Sequence, residues 1–170
     1  VDGQSWDLGG GVRIRAHHLP GHTAGHCALV VENEGLAFIG DIDLSGFGPY
    51  YGDATSSLSD FRNTLRLVAE LDARIWVTSH HKAVITDRDQ FLRDLARFAS
   101  RIDERTDKLI EMLKHQPSSL SELVSQGFLY PLGHSAPWTA SAEERTLQQH
   151  LDELMSQGRV ALDQGYYALV

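Results

Sequence analysis

The 170-residue sequence predicts a mixed α/β chain, an α+β arrangement in which a sheet-based first part is followed by a small helical part closing in a hairpin. Three observations predict it. Short apolar runs separated by glycine-bearing turns recur up to Val77. Two segments, 57–68 and 87–102, carry apolar residues three and four apart, the helical period. Composition then changes near residue 103, which divides the chain into units 1–103 and 104–170.

The elements follow in order. Val12 to Ala16 alternates apolar and charged side chains, as a half-buried strand does. Cys27–Val31, the turn Asn33-Glu34-Gly35 and Leu36–Ile39 form a β-hairpin signal. Residues 44–53, "LSGFGPYYGD", have neither period and read as a long ordered loop. Ser57 or Ser59 can cap a helix carrying Phe61, Leu65 and Val68. Ile75-Trp76-Val77 is a further strand, and Asp87 can cap a helix with Phe91, Leu95, Phe98 and Ile102 on one face. In the second unit, a helix over 108–114 precedes Pro117, and Ser118 or Ser119 caps a short helix. Ser141 caps a helix with Leu147, Leu151 and Leu154, and 160–170 form a hairpin about Gly165. Three helices and a two-stranded wing are the order of a winged-helix domain.

Bulk properties exclude several classes. No apolar run approaches the roughly 20 residues that cross a bilayer. The formal net charge of −8 argues against affinity for nucleic acid or anionic membranes. Within 104–170, five basic residues face nine acidic ones, a net of −4, and the helix that would read DNA carries one arginine and four acids. A DNA-binding role is therefore the weaker alternative. The single cysteine, Cys27, allows no intrachain disulfide, so a cytoplasmic setting is expected. Cys27 itself reads as a small buried hydrophobe.

Of nine histidines, His17, His18, His22, His26, His80 and His81 fall in two short regions. Three loops each follow a strand: one holds His22, one Asp41, one His80 and His81. Imidazole and carboxylate are the donors that zinc, iron and manganese accept. Gly21, Gly25 and Gly40 let the backbone turn sharply beside them. His17 and His18 read as edge histidines, His115, His134 and His150 as surface ones, and Asp43 as a loop acid.

"PGHTAGH" (20–26), "FIGDIDL" (38–44) and "WVTSHHKAVI" (76–85), in that order, resemble the second half of the metallo-β-lactamase superfamily. The glyoxalase II and lactonase branches are the most similar, and the resemblance covers roughly residues 10–100. It implies half of an αββα sandwich, with the winged-helix-like unit appended. It also implies that His22 is a ligand of a first metal and that Asp41 is the catalytic carboxylate shared by two metals. The family's usual "PGHGPVI" reads "SHHKAVI" here. Aligning the trailing Ala-Val-Ile assigns the second-metal ligand to His81, with His80 the alternative and His26 orienting the loop around His22.

The resemblance further implies two divalent metals, zinc first and iron or manganese as substitutes. Water activated by them would attack a thioester, lactone or related carbonyl. Phe47, Tyr50 and Tyr51 are candidate walls of the substrate pocket, because their loop directly follows Asp41. An iron-dependent redox member of the same superfamily is the alternative. The family's HxHxDH motif is absent from the 170 residues. The chain is thus expected to be truncated, to bind metal poorly alone and to be inactive alone. Half a sandwich exposes an apolar sheet face, so a homodimer or other oligomer is expected.

Overall fold

The structure, a computed structural model, describes residues 2–131, 133–134 and 136–170. Apolar alternation in the first unit builds a six-stranded sheet of order β1-β2-β3-β4-β5-β6. The strands are β1 (Ser5–Asp7), β2 (Arg13–His18), β3 (Cys27–Val31), β4 (Leu36–Phe38), β5 (Ile75–Val77) and β6 (Val84–Ile85). Neighbours are antiparallel except β4 and β5, which run parallel. That parallel pair requires a crossover, and α1 (Leu58–Ala69) supplies it. Strands β1 and β6 were not expected from the sequence. At three and two residues they are too short to show a period.

The two faces of the sheet have different fates. Val30, Ala37, Trp76 and Ile85 stand in register across β3 to β6 and are buried. They pack with α1 and α2 (Arg88–His115) in one core that also holds Phe61, Phe91 and Phe98. Trp76 stacks on Phe91 at 4.4 Å and 8°. The opposite face carries the row Leu29, Phe38, Val77, Val84 and the row Val31, Leu36, Ile75. Leu29 and Val84 are 37% and 58% exposed, and the others only half-buried. An alternating strand normally turns polar residues to water; these strands are apolar on both sides, as strands covered on both faces are.

Helix α2 corrects the sequence reading. Instead of one helix ending near 102 and another over 108–114, a single 28-residue helix runs through. Residues 100–108 contain neither proline nor glycine, and the buried stripe Ile102, Arg105, Thr106, Leu109, Leu113 continues without a break. Its first half joins the sheet core. Its second half joins a separate core with Leu123, Phe128, Leu147, Leu151, Leu154 and Tyr167.

That second core is closed by α3 (Leu120–Ser125), α4 (Thr139–Ser156) and the hairpin β7 (Val160–Asp163) and β8 (Tyr166–Leu169). Ser119 caps α3 through a reciprocal capping box with Glu122. The expected Ser141 cap does not form: α4 begins three residues earlier, behind Trp138, and the Ser141 hydroxyl donates instead to the Trp138 carbonyl.

Candidate functional site

The loops after β2, β4 and β5 meet beside one carboxylate. Asp41 has the His22 Nε2 atom 3.5 Å from Oδ2 and the His80 Nε2 atom 3.2 Å from Oδ1. The Ser79 N–H donates to the Gly40 carbonyl at 2.9 Å, which ties the His80 turn to the Asp41 turn.

This corrects the alignment of the third motif. His80, and not His81, faces Asp41. His81 sits in the left-handed region at φ 61°, as does Ala83 at φ 58°, so the chain reverses right after His80. Thr78 holds the reversal: its hydroxyl donates to the His80 carbonyl and accepts from the Ala83 N–H. His81 is exposed.

Each inner histidine has its tautomer set by a carbonyl. His22 Nδ1 lies 3.0 Å from the Tyr50 carbonyl, which can only accept, so Nδ1 carries the proton. When the ring is neutral, the Nε2 lone pair faces the Asp41 carboxylate. Two electron-rich atoms facing each other call for a cation or proton between them. His26 uses both nitrogens within the protein. Its Nδ1–H donates to the Leu19 carbonyl at 2.8 Å, and Nε2 accepts the Asp41 N–H at 3.1 Å. Burial foremost holds its pKa below the ordinary imidazole value. A neutral His26 is what accepting the Asp41 N–H requires, so this residue fixes the Asp41 backbone.

Two glycines make this packing possible. Gly40 has φ 57°, and a Cβ there would lie 2.6 Å from His26 Nε2. Gly21 has φ 133°, and a Cβ would lie 2.4 Å from the Phe61 Cα. Gly25, expected to matter equally, is neither left-handed nor crowded.

Chemically, two imidazoles and a carboxylate are donor types that suit a divalent metal, and His22, Asp41 and His80 would be the residues that supply them. The set is incomplete. Among the described residues no group of three or more His, Cys, Asp or Glu side chains is laid out to hold a metal ion.

The candidate pocket residues separate. Phe47 is 43% exposed and stacks on Tyr130 at 5.8 Å, which in turn meets Trp138 edge-on at 5.4 Å. The Tyr50 ring lies 5.9 Å from the His22 ring. Tyr51 is no wall: its side chain is buried at 1% exposure, turned away from Tyr50 into the protein. There it meets His150, which was expected on the surface and is fully buried. The Tyr51 hydroxyl donates to His150 Nε2 at 2.8 Å, and His150 Nδ1–H donates to Thr106 Oγ1 at 3.0 Å. The Thr106 hydroxyl donates to the Ile102 carbonyl at 3.1 Å. Burial first, then the Arg105 and Arg62 charges, push the His150 pKa down to about 3. The buried face of α4, with Leu147, Leu151 and Leu154 at helical spacing, is the one sequence signal that could have placed His150 inside.

Of the remaining expectations, Cys27 is only half-buried and Asp43 accepts the Ser45 N–H at 3.0 Å. His17 and His18 close β2. His134 is exposed and stacks on Tyr130 at 5.2 Å.

A layered α/β protein with a histidine-flanked aspartate at its strand ends is thereby defined. Residues 3–80 match the family described as "Metallo-beta-lactamase superfamily". A metallo-beta-lactamase family protein from Thermus thermophilus has the same fold, with a TM-score of 0.78 and 28% identity over all of this chain and 53% of that one. A beta-lactamase domain protein from Burkholderia ambifaria agrees in fold at TM-score 0.71 and 21% identity, covering 51% of that chain. Among curated relatives, an atrochrysone carboxyl ACP thioesterase of Aspergillus fumigatus is 30% identical over 126 residues, 74% of this chain and 28% of the relative. Another, of Aspergillus aculeatus, is 28% identical over 146 residues, 85% of this chain and 45% of the relative. The chain thus spans less than half the length of these relatives.

Proposed function

We propose that this chain forms part of a metal-dependent hydrolase acting on a thioester or a similar activated carbonyl compound. The observation that carries the reading is Asp41 flanked by His22 and His80, with the tautomer of His22 set to present Nε2. The thioesterase names of the curated relatives support the substrate class. His22, Asp41 and His80 would hold divalent metal, zinc by donor type, together with ligands from a segment bearing the HxHxDH motif. Held there, such a metal would supply Lewis-acid chemistry, lowering the pKa of water toward 7 and polarising a carbonyl. The protein's own share is orientation. Tyr50 and His26 hold His22 and Asp41 in place, and Phe47, Tyr50, Tyr130 and Trp138 offer an apolar wall for the acyl group. The second core is a packing element of the site in this reading. Its acidic balance opposes nucleic-acid contact.

The choice between the adjacent histidines is testable. In a protein completed with an HxHxDH segment, His80→Ala is expected to lower zinc affinity at least about tenfold, while His81→Ala changes it little. Isothermal titration or chelator competition reads this. The reverse ranking would restore the motif alignment and reject the geometric assignment.

The apolar sheet face supports association. The 170-residue chain is expected to self-associate through Leu29, Phe38, Val77 and Val84, and Leu29→Lys with Val84→Glu to weaken this at least about tenfold. Sedimentation velocity measures it, and a monomer at all accessible concentrations would sink the idea.

A further inference from the structure

Arg105 is a buried guanidinium, 8% exposed, and among the described residues it forms no ion pair with a carboxylate. An arginine keeps its charge, and burying one without a counter-charge is costly unless its donors are well used. Its donors go to backbone. Nη1 donates to the Pro49 carbonyl and Nη2 to the Phe47 carbonyl at 2.7 Å. The Phe47 and Tyr51 rings lie over the guanidinium at 5.1 and 5.3 Å.

Two side chains of α4 continue the pattern. Gln149 Nε2 donates to the Tyr51 carbonyl at 2.8 Å and Arg145 Nη1 to the Gly52 carbonyl at 3.2 Å. Carbonyls 47, 49, 51 and 52 are thus all held by helices of the second half of the chain. Of the two carbonyls these helices leave in this stretch, those of Gly48 and Tyr50, that of Tyr50 accepts from His22 Nδ1. A loop without helix or strand bonding of its own receives a defined shape from outside. The Tyr50 carbonyl, which this shape aims at His22, sets the tautomer of a site histidine.

We propose that Arg105, assisted by Gln149, is a positioning residue for His22, acting through the backbone of residues 47–52. The consequence for catalysis rests on the reading of His22 as a metal ligand; the clamp itself does not. It gives the C-terminal helices a role in orienting His22, with which they share no hydrogen bond among the described residues. They fix which nitrogen of His22 is free, so a change in their packing alters the site without altering a ligand.

The experiment reads the tautomer directly. Long-range 1H–15N correlation spectra of the histidine rings are recorded at pH 8 on the 170-residue chain, with His22 assigned through His22→Asn. The native chain is expected to show His22 as the Nδ1–H form. Arg105→Lys keeps the charge and stem but cannot fork across two carbonyls, and is expected to lower the ratio of Nδ1–H to Nε2–H at His22 about tenfold. His26, whose Nδ1–H goes to Leu19 and not to the clamped loop, should stay unchanged and report an intact fold. Gln149→Met attacks the clamp from the other helix and should shift His22 the same way, to a smaller extent. It decides the matter if Arg105→Lys does not fold. An unchanged His22 beside an unchanged His26, or a native His22 in the Nε2–H form, overturns the proposal. A shifted tautomer in a chain whose completed form binds no metal would reject the hydrolase reading and leave the clamp standing.

Discussion

Supplied with zinc and a thioester, the 170-residue chain alone is expected to hold metal weakly and to show no turnover above background. His22, Asp41 and His80 are too few to hold the ions expected here. Structural and catalytic zinc sites take at least three protein ligands around each ion, and here a single carboxylate is shared between two imidazoles. Without the metal, water near pH 7 is a poor nucleophile. Adding a segment that bears HxHxDH, in trans or fused upstream, is expected to raise turnover by at least about a thousandfold and to bring tight metal with it. Metal analysis and thioester assays before and after the addition measure both. Stoichiometric tight metal and full turnover in the chain alone would show that other side chains close the site, His17, His18 and His26 being the first to test.

Acidification is expected to destabilise the fold well above the carboxylate range. His150 titrates near 3 in the folded protein and close to 6.5 when unfolded, so between those values the unfolded chain binds the extra proton. Its contribution is complete above pH 6.5 and falls by about 1.4 kcal/mol for each pH unit below it, until about pH 3. His26, also depressed, acts in the same direction. Urea unfolding at pH 7.5, 6 and 5 reads the slope. His150→Gln retains a donor and an acceptor for Tyr51 and Thr106 but cannot titrate, and should flatten it. His150→Ala leaves the Tyr51 hydroxyl without its partner and should cost about 2–4 kcal/mol at neutral pH. A slope that is the same in native and His150→Gln proteins would remove His150 as its source.

Both predictions draw on parts of the molecule that were unequally visible in the sequence. The hairpin of β3 and β4, the Ser57 and Asp87 caps and the terminal hairpin were legible, because alternation, capping chemistry and glycine turns act over a few residues. The continuity of α2 was not, because its stripe passes from one core to another and only packing shows that both belong to one helix. Strands as short as β1 and β6 carry no period to read and exist through their neighbours.

The site divides the same way. His22 and Asp41 were named from local motifs, since a glycine-framed histidine or aspartate after a strand is a short-range pattern. The sequence alone thus determined which residue types could meet and in what order. Which of two adjacent histidines faces Asp41 was decided by the left-handed turn at His81, and adjacent side chains differ only in the direction the backbone gives them. Tyr50 and Tyr51 likewise part ways, one beside His22 and the other on His150, 99 residues away in the chain. Such choices belong to tertiary structure alone, because burial and hydrogen-bond partners are set by segments far apart in sequence, and no local pattern carries that information.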